Sequence, residues 1–323
     1  MSKPIIVAKT TEITHDVWLA ARRKGIGGSD AAAVCGMSRY SSPLDVWLQK
    51  TGRKPATPDN EAMAWGRLLE PVVRQEFARR TGLTVKECPY ILQSREHVNS
   101  FMISNVDGIV VEKDGTKCVL EIKTTNSFTA IKDVEDGLPV EWFCQVQHYM
   151  AVTGLPKAYV VMLIGGNKLQ SQVIERDEET IQTLIALESH FWHEFVLKNV
   201  PPPVDEHSGD ALNILYPTSN ESSVVLPAKA DELIAQYLEI KRAEDELKAA
   251  KAETENKLKA LLKEAETGTA PNGYTVSWKS YSQSRLDSIK LKATHPEIAE
   301  QFTTTVAGRK FSVKEPSKVK AKK

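Results

Sequence analysis

The stretch from Val106 to Thr124 constrains this chain most. It reads Val106-Asp107-Gly108, an apolar run, a Lys113-Asp114-Gly115 turn, and then Leu120-Glu121-Ile122-Lys123. Two β-type apolar runs around a glycine-containing turn predict a hairpin. Side chains alternate faces along a strand, so Glu121 and Lys123 share one face and Leu120 and Ile122 the other. The turn decides the register. A two-residue Asp114-Gly115 turn sets Asp107 opposite Ile122, with its carboxylate pointing away from Glu121. A three-residue loop with Gly115 left-handed shifts the pairing by one. Asp107 then faces Glu121, Asn105 faces Lys123 and Ile109 faces Val119. We expect this second register, or a bulge with the same effect. Two carboxylates on one face make an oxygen-rich pocket of the kind that hard cations such as Mg²⁺ take. The bland alternative is a solvated hairpin face with ordinary cross-strand charge pairs.

With 323 residues, the chain is long enough for one large domain plus an appendage, or for two domains. The formal net charge is zero, so any nucleic-acid surface must be local. No apolar run is long enough to span a membrane, and the N-terminus lacks a signal-peptide pattern. The four cysteines (Cys35, Cys88, Cys118 and Cys144) are scattered, with no Cys-x-x-Cys pair. Zinc and disulfides are therefore not expected, and the cysteines read as small buried residues.

Residues 1 to 14 read as an irregular or strand-like lead-in, followed by a short helix from His15 to Arg23. Next comes Arg22-Arg23-Lys24-Gly25-Ile26-Gly27-Gly28-Ser29-Asp30, then an alanine run. Glycines before Ser-Asp mark a loop entering a helix N-terminus. Free N–H groups and three basic residues there suit an anion, with Ser29 and Arg22 as donors. An ordinary Ser N-cap is the competing reading. Further helices are expected over Pro43–Thr51 and Glu61–Arg80. On the second, Glu70 lies one turn from Arg74, either as a metal ligand or as its ion-pair partner. Strands are expected over Val85–Gln93, Phe101–Glu112, Lys117–Thr125, Ala158–Ile164 and Leu169–Glu175. A helix over Pro139–Thr153 carries Gln145, Gln147 and His148, and Glu178–Lys198 reads as an amphipathic helix. This order predicts an α/β sandwich.

Pro201-Pro202-Pro203 and the polar run after it look like a boundary. Lys229–Glu266 reads as a long charged helix of roughly 55 Å. Its narrow apolar stripe (Leu233, Ile240, Leu247 and Leu261) suits pairing with another helix or a partner chain, as in a coiled coil. Tyr274–Tyr281 alternates like a strand, and Asp287–Phe302 reads as a helix interrupted near Pro296. Arg309–Lys323 reads as a short strand and a basic tail, either merely solvated or a nonspecific DNA grip. The expected division is a core domain over 1–205, a linker over 206–228, the long helix over 229–267 and a small extension over 268–323.

An ordered set of motifs resembles a known family. It comprises Gly25-Ile26-Gly27-Gly28-Ser29-Asp30-Ala31, Ala64-Trp65-Gly66 leading to Glu70-Pro71, Asp107-Gly108, Glu121-Ile122-Lys123 and Gln145-Val146-Gln147. Together they resemble the YqaJ-type viral recombinase nucleases, relatives of phage lambda exonuclease in the PD-(D/E)xK superfamily. The resemblance covers roughly residues 15 to 205 of the chain. It implies a restriction-endonuclease-like core, a central mixed sheet flanked by helices. By resemblance, Asp107, Glu121, the Ile122 carbonyl and Glu70 hold Mg²⁺, with Mn²⁺ as a substitute. Lys123 positions or deprotonates the attacking water, and Gln145 orients Lys123 or that water. Arg22 and Ser29 match a 5′-phosphate site, with Arg23 and Lys24 as alternatives to Arg22. Val106 stands where the superfamily's named proline would precede Asp107.

The implied activity is Mg²⁺-dependent 5′→3′ exonuclease action on linear double-stranded DNA ends. Its single-stranded product would feed a phage single-strand annealing protein in homologous recombination. An endonuclease with the same centre is one alternative, and a catalytically idle DNA-binding or assembly module is another. The resemblance further implies a homo-oligomer, a trimer as in the exonuclease relatives. It also implies a cytoplasmic location in a bacterial host and a phage or prophage origin.

Overall fold

The structure, a computed structural model, describes residues 3–55, 60–126, 137–305 and 308–314. It divides into two units, Met1–Pro217 and Thr218–Lys323. The first opens with strand β1 (Ile5–Lys9), helix α1 (His15–Arg23), β2 (Ile26–Gly27), α2 (Gly28–Val34), α3 (Pro43–Lys50) and α4 (Glu61–Thr81). Then follow β3 (Thr84–Lys86), β4 (Tyr90–Gln93), β5 (Met102–Ser104), β6 (Gly108–Val111) and β7 (Lys117–Thr125). The unit is completed by α5 (Val140–Thr153), β8 (Lys157–Ile164), β9 (Lys168–Glu175), α6 (Glu178–His190) and α7 (Gly209–Leu215).

A five-stranded sheet runs in the order β3-β6-β7-β8-β9. β6 and β7 form an antiparallel hairpin, β7 and β8 are parallel, and β8 and β9 are antiparallel. The parallel pair is the one joined through a helix, α5, as parallel strands require. α4 covers one face, where Val73 and Phe77 pack on Val110, Cys118, Leu120 and Val161. Burying a side chain such as Phe77 contributes roughly 1.5–3 kcal/mol. α5 lies on the other face, with Val146, Tyr149 and Met150 in one core with Val119, Ala158, Val160 and Met162. A second, four-stranded sheet has the order β1-β4-β5-β2. The whole is the mixed α/β architecture expected.

The helix ends follow local chemistry. The Asn60 side chain accepts a hydrogen bond from the Met63 N–H at 2.9 Å and opens α4. Gly82 closes it at φ +69°, a left-handed position that favours glycine.

Several elements differ from expectation. The run 85–93 is broken before Tyr90, and its halves join different sheets. Pro89, which has no N–H, stands at the break. The run 101–112 is broken at Asn105-Val106-Asp107, and β5 and β6 again belong to different sheets. The hairpin ladder begins at Gly108, so Asn105 does not pair with Lys123; its side chain instead accepts a hydrogen bond from the Trp18 indole at 3.0 Å. The expected helix 178–198 becomes π-helical over Phe191–Val196. Part of the expected linker belongs to the first unit, because α7 buries Ala211 in its core.

The second unit holds α8 (Lys229–Leu262), the hairpin β10 (Thr267–Thr269) and β11 (Thr275–Ser277), and the short helices α9 (Ser288–Thr294) and α10 (Pro296–Gln301). Pro296 separates the last two, as expected. α8 ends at Leu262, with Lys263 at φ +52° as its C-cap, rather than at Glu266. Its stripe residues stay exposed, Leu247 at 72% and Leu261 at 80%. Residues 308–314 form no strand, and the rest of the basic tail lies outside the described residues.

Candidate active site

The β6–β7 turn carries the site. Glu112 N–H donates to the Thr116 carbonyl at 2.8 Å, and Gly115 N–H to the Glu112 carbonyl at 3.0 Å. The loop between them is Lys113-Asp114-Gly115, and Gly115 sits at φ +90°. The ladder then pairs Ile109 with Val119 and Gly108 with Leu120. Asp107, one residue before the ladder, stands against Glu121. This is the three-residue-loop register. Gly108 is needed here, since a Cβ on it would lie 2.8 Å from the Lys86 carbonyl oxygen.

Asp107 is tied to β7 by its side chain. Its Oδ2 accepts a hydrogen bond from the Ile122 N–H at 2.7 Å. Burial pushes the Asp107 carboxyl well above the ordinary carboxylate range, and the negative charges of Glu121 and Glu70 push the same way. Glu121 is 4% exposed. Its Oε1 accepts from Gln145 Nε2 at 2.7 Å and from Lys123 Nζ at 2.8 Å. Its Oε2 is buried with no hydrogen-bond partner. Gln145, on α5, also accepts from Lys123 Nζ at 2.7 Å. Lys123 Nζ lies 5.8 Å from the Trp142 ring centroid.

Glu70 reaches the same cavity from α4 but is ion-paired with Arg74, one turn on. Burial, partly offset by Arg74, raises its carboxyl above the ordinary range. Among the described residues, no group of three or more His, Cys, Asp or Glu side chains is placed to hold a metal ion. The Asp107 and Glu121 carboxylates stand together in this cavity, with Glu70 beside them ion-paired to Arg74.

The glycine loop stands across the cavity. Arg22 Nη2 donates to Ser29 Oγ at 2.6 Å, and its guanidinium lies over Trp18 at 4.8 Å. A buried ion pair braces this arrangement. Lys50 Nζ reaches Asp30 Oδ2 at 2.6 Å and the Arg22 carbonyl at 3.0 Å, and Asp30 accepts from the Gly27 N–H at 2.9 Å. Burial alone would raise the Asp30 carboxyl, but the charges of Lys50 and Arg22 outweigh it and hold it below the ordinary range. α2 packs against α5 so closely that a Cβ on Gly28 would lie 2.5 Å from the Tyr149 ring.

Asp107, Glu121, Glu70, Gln145, Arg22 and Ser29 thus line one cavity of about 580 Å³. Sequence reasoning singled out all six, but it missed their supports. The Tyr149 hydroxyl accepts from Gln145 Nε2 at 3.0 Å. The spacing of one helical turn between Gln145 and Tyr149 was the available signal. Trp18 lies one helical turn before Arg22 on α1, which is again a local signal, whereas the Lys50–Asp30 pair gave none. The four cysteines are free, with Cys88, Cys118 and Cys144 buried.

Fold and site together define an α/β protein of the PD-(D/E)xK arrangement, with an acid before one strand and an Glu-x-Lys set on the next. The YqaJ-like viral recombinase domain matches residues 17–156. The uncharacterized protein YqaJ of Bacillus subtilis strain 168 is 38% identical over 318 residues, which is 97% of this chain and 98% of that one. The chain belongs to the YqaJ-like viral recombinase family. Among solved structures, the alkaline exonuclease LHK-Exo from Laribacter hongkongensis is 26% identical, with a TM-score of 0.48 over 57% of this chain and 93% of that one. A phage-related exonuclease from Haemophilus somnus 129PT is 13% identical, with a TM-score of 0.38 over 56% of this chain and 99% of that one.

Proposed function

We propose that this chain is a Mg²⁺-dependent 5′→3′ exonuclease acting on linear double-stranded DNA ends. Its single-stranded product would pass to an annealing protein in phage-type recombination. One observation carries the reading. Half-buried Asp107 stands against buried Glu121, and Glu121 Oε2 has no hydrogen-bond partner. Two like charges in one buried site call for a cation. Mg²⁺ binds through one or two carboxylates together with substrate phosphates, so the pair fits it without a third acid. When bound, the cation supplies positive charge to the phosphate oxygens and acidity to water.

The side chains then take distinct roles. Asp107 and Glu121 hold the cation, with the Ile122 carbonyl as a further candidate ligand. Lys123 brings a positive charge to where negative charge develops in the transition state. Gln145 fixes Lys123 relative to Glu121 through the two bonds of its amide. Arg22 and Ser29 offer N–H and O–H donors to a phosphate in the same cavity, which favours recognition of a strand end. Glu70 adds negative potential beside the pair.

The test uses purified wild type and Lys123→Ala with Mg²⁺. The substrates are a 5′-phosphorylated linear duplex and the same sequence as a closed circle. Loss of the linear form alone, by wild type alone, supports the exonuclease. Cutting of both forms supports an endonuclease with the same centre. Cutting of neither, across divalent metals and pH, leaves a DNA-binding module as the reading.

A further inference from the structure

The cavity holding Asp107 and Glu121 has a neighbour across the Arg22–Ser29 pair. Trp18, Arg22, Ser29, Met63 and Gln145 line it, and the same five residues line a second cavity of about 520 Å³. The pair therefore stands in a partition between two chambers. Lys123 and Trp142 face the second chamber from its β7 and α5 side.

The two chambers differ in charge. The first is lined by three acids (Glu70, Asp107 and Glu121) and two arginines (Arg22 and Arg67). The second is lined by five Lys or Arg side chains (Arg22, Arg23, Lys50, Lys54 and Lys123) and only two acids (Asp30 and Glu141). Several of these cations already have acidic partners. Lys50 bonds to Asp30, Lys54 to Asp45 at 2.8 Å and Lys123 to Glu121 at 2.8 Å. Arg22 bonds to a neutral hydroxyl, and Arg23 is exposed at the rim. Aromatic faces stand beside them. His15 stacks on Trp18 at 5.4 Å, and Tyr40 is 74% exposed with the Arg39 guanidinium 5.5 Å from its ring centroid. Cations for phosphates and flat rings for bases are what a single strand needs. The volume lies within the range of small-ligand sites, so the chamber has room for a nucleotide.

We propose that the second chamber is a binding site for single-stranded DNA. It receives the nucleotides of a 5′ extension beyond the phosphate held by Arg22 and Ser29. The pair then grips an internal phosphate when the strand continues, and a terminal phosphate when it does not. The use of the chamber in cleavage rests on the nuclease reading, whereas its occupancy by a single strand does not.

The test is therefore a binding measurement without turnover. Fluorescence anisotropy in EDTA would compare a blunt 5′-phosphorylated duplex with the same duplex carrying a short single-stranded 5′ extension. The proteins are wild type and the double variant His15→Ala/Tyr40→Ala, which removes two exposed rings of the second chamber outside the Asp107–Glu121 centre and the Arg22–Ser29 pair. Wild type should prefer the extended duplex by about tenfold, the scale of one stacked base. The variant should lose that preference and keep its affinity for the blunt duplex. Equal binding of both duplexes by wild type, or equal loss on both in the variant, would overturn the proposal. Cleavage of the blunt duplex by wild type in Mg²⁺ is scored separately. If neither duplex is cut but the preference and its loss persist, the nuclease reading fails and the chamber stands.

Discussion

Gln145 Nε2 donates to Glu121 Oε1 at 2.7 Å, while the other end of the same amide accepts from Lys123 Nζ at 2.7 Å. One side chain on α5 thus fixes the mutual position of an acid and a base on β7. Gln145→Ala would leave Glu121 and Lys123 in direct contact at 2.8 Å but free to reorient. Supporting partners of this kind are typically worth about 10–100-fold in activity. We expect a loss of that order in the rate of duplex cleavage, with a far-ultraviolet dichroism spectrum like that of wild type. A wild-type rate would remove Gln145 from the site.

The Asp107–Glu121 pair predicts a link between cation binding and stability. Burial and the neighbouring acids hold the Asp107 carboxyl above the ordinary carboxylate range. The folded state therefore binds its proton more tightly than the unfolded chain. Asp107's contribution is fully favourable below the ordinary carboxylate value of 3.8 and is lost as pH rises through the raised value. At neutral pH, in EDTA, Asp107→Asn should melt at a higher temperature than wild type. Adding Mg²⁺ should raise the Tm of wild type and leave that of the variant nearly unchanged, since only a ligand that binds the folded state stabilises it. A Tm of wild type insensitive to Mg²⁺, Mn²⁺ and EDTA would contradict the metal assignment.

The parts of this architecture visible in the sequence are those set by short-range chemistry. Gly115 in a left-handed position chose the hairpin register, and Gly82 and Gly154, left-handed at φ +69° and +71°, close α4 and α5. The breaks at Pro89 and at Asn105–Asp107 were harder to see, because β-type residues stand close on both sides of each. Which sheet a three-residue strand joins is decided by distant partners, such as the parallel pairing of Ile26 with Met102. The same limit hid the bracing of the site. Lys50 and Asp30 lie 20 residues apart on the successive helices α3 and α2, so their 2.6 Å contact has no local periodicity to announce it. The long helix was legible because its pattern is helical throughout.

Gly28 tests whether close packing places the glycine loop. An added Cβ would meet Tyr149 Cε1 at 2.5 Å and the Gln145 carbonyl oxygen at 2.9 Å. The backbone oxygen cannot swing aside, so α2 must move off α5. Overpacking of this kind costs typically 1–3 kcal/mol. Gly28→Ala should lower the Tm and also reduce cleavage, because the shift separates Ser29 from Gln145. Gly36→Ala is the control, since open space surrounds that position but its φ of +68° strains any side chain. It should lower the Tm with little effect on cleavage. Equal loss of cleavage in both variants would trace the effect to general destabilisation.

His148 and Glu188, each wholly buried, meet at 2.8 Å between α5 and α6. The Nε2 of His148 lies 2.9 Å from the Ile103 carbonyl, which can only accept, so that nitrogen carries a proton. Burial alone would lower the pKa of His148, but the Glu188 carboxylate and these hydrogen bonds outweigh it and raise it above 6.5. Burial raises the Glu188 carboxyl as well, against the pull of His148. Both shifts run the same way, so the folded state binds more protons than the unfolded chain. The stability this pair contributes is full at low pH and falls as pH rises through the raised values. Glu188→Gln would leave a buried imidazole without its charged partner, a change that costs about 3–5 kcal/mol when a buried pair is broken. Chemical denaturation across neutral to alkaline pH should show wild-type stability declining. In the double variant His148→Gln/Glu188→Gln, which removes both titrating groups, the decline should be shallower. An identical pH slope in the two proteins would show that the pair does not control the alkaline limit of this fold.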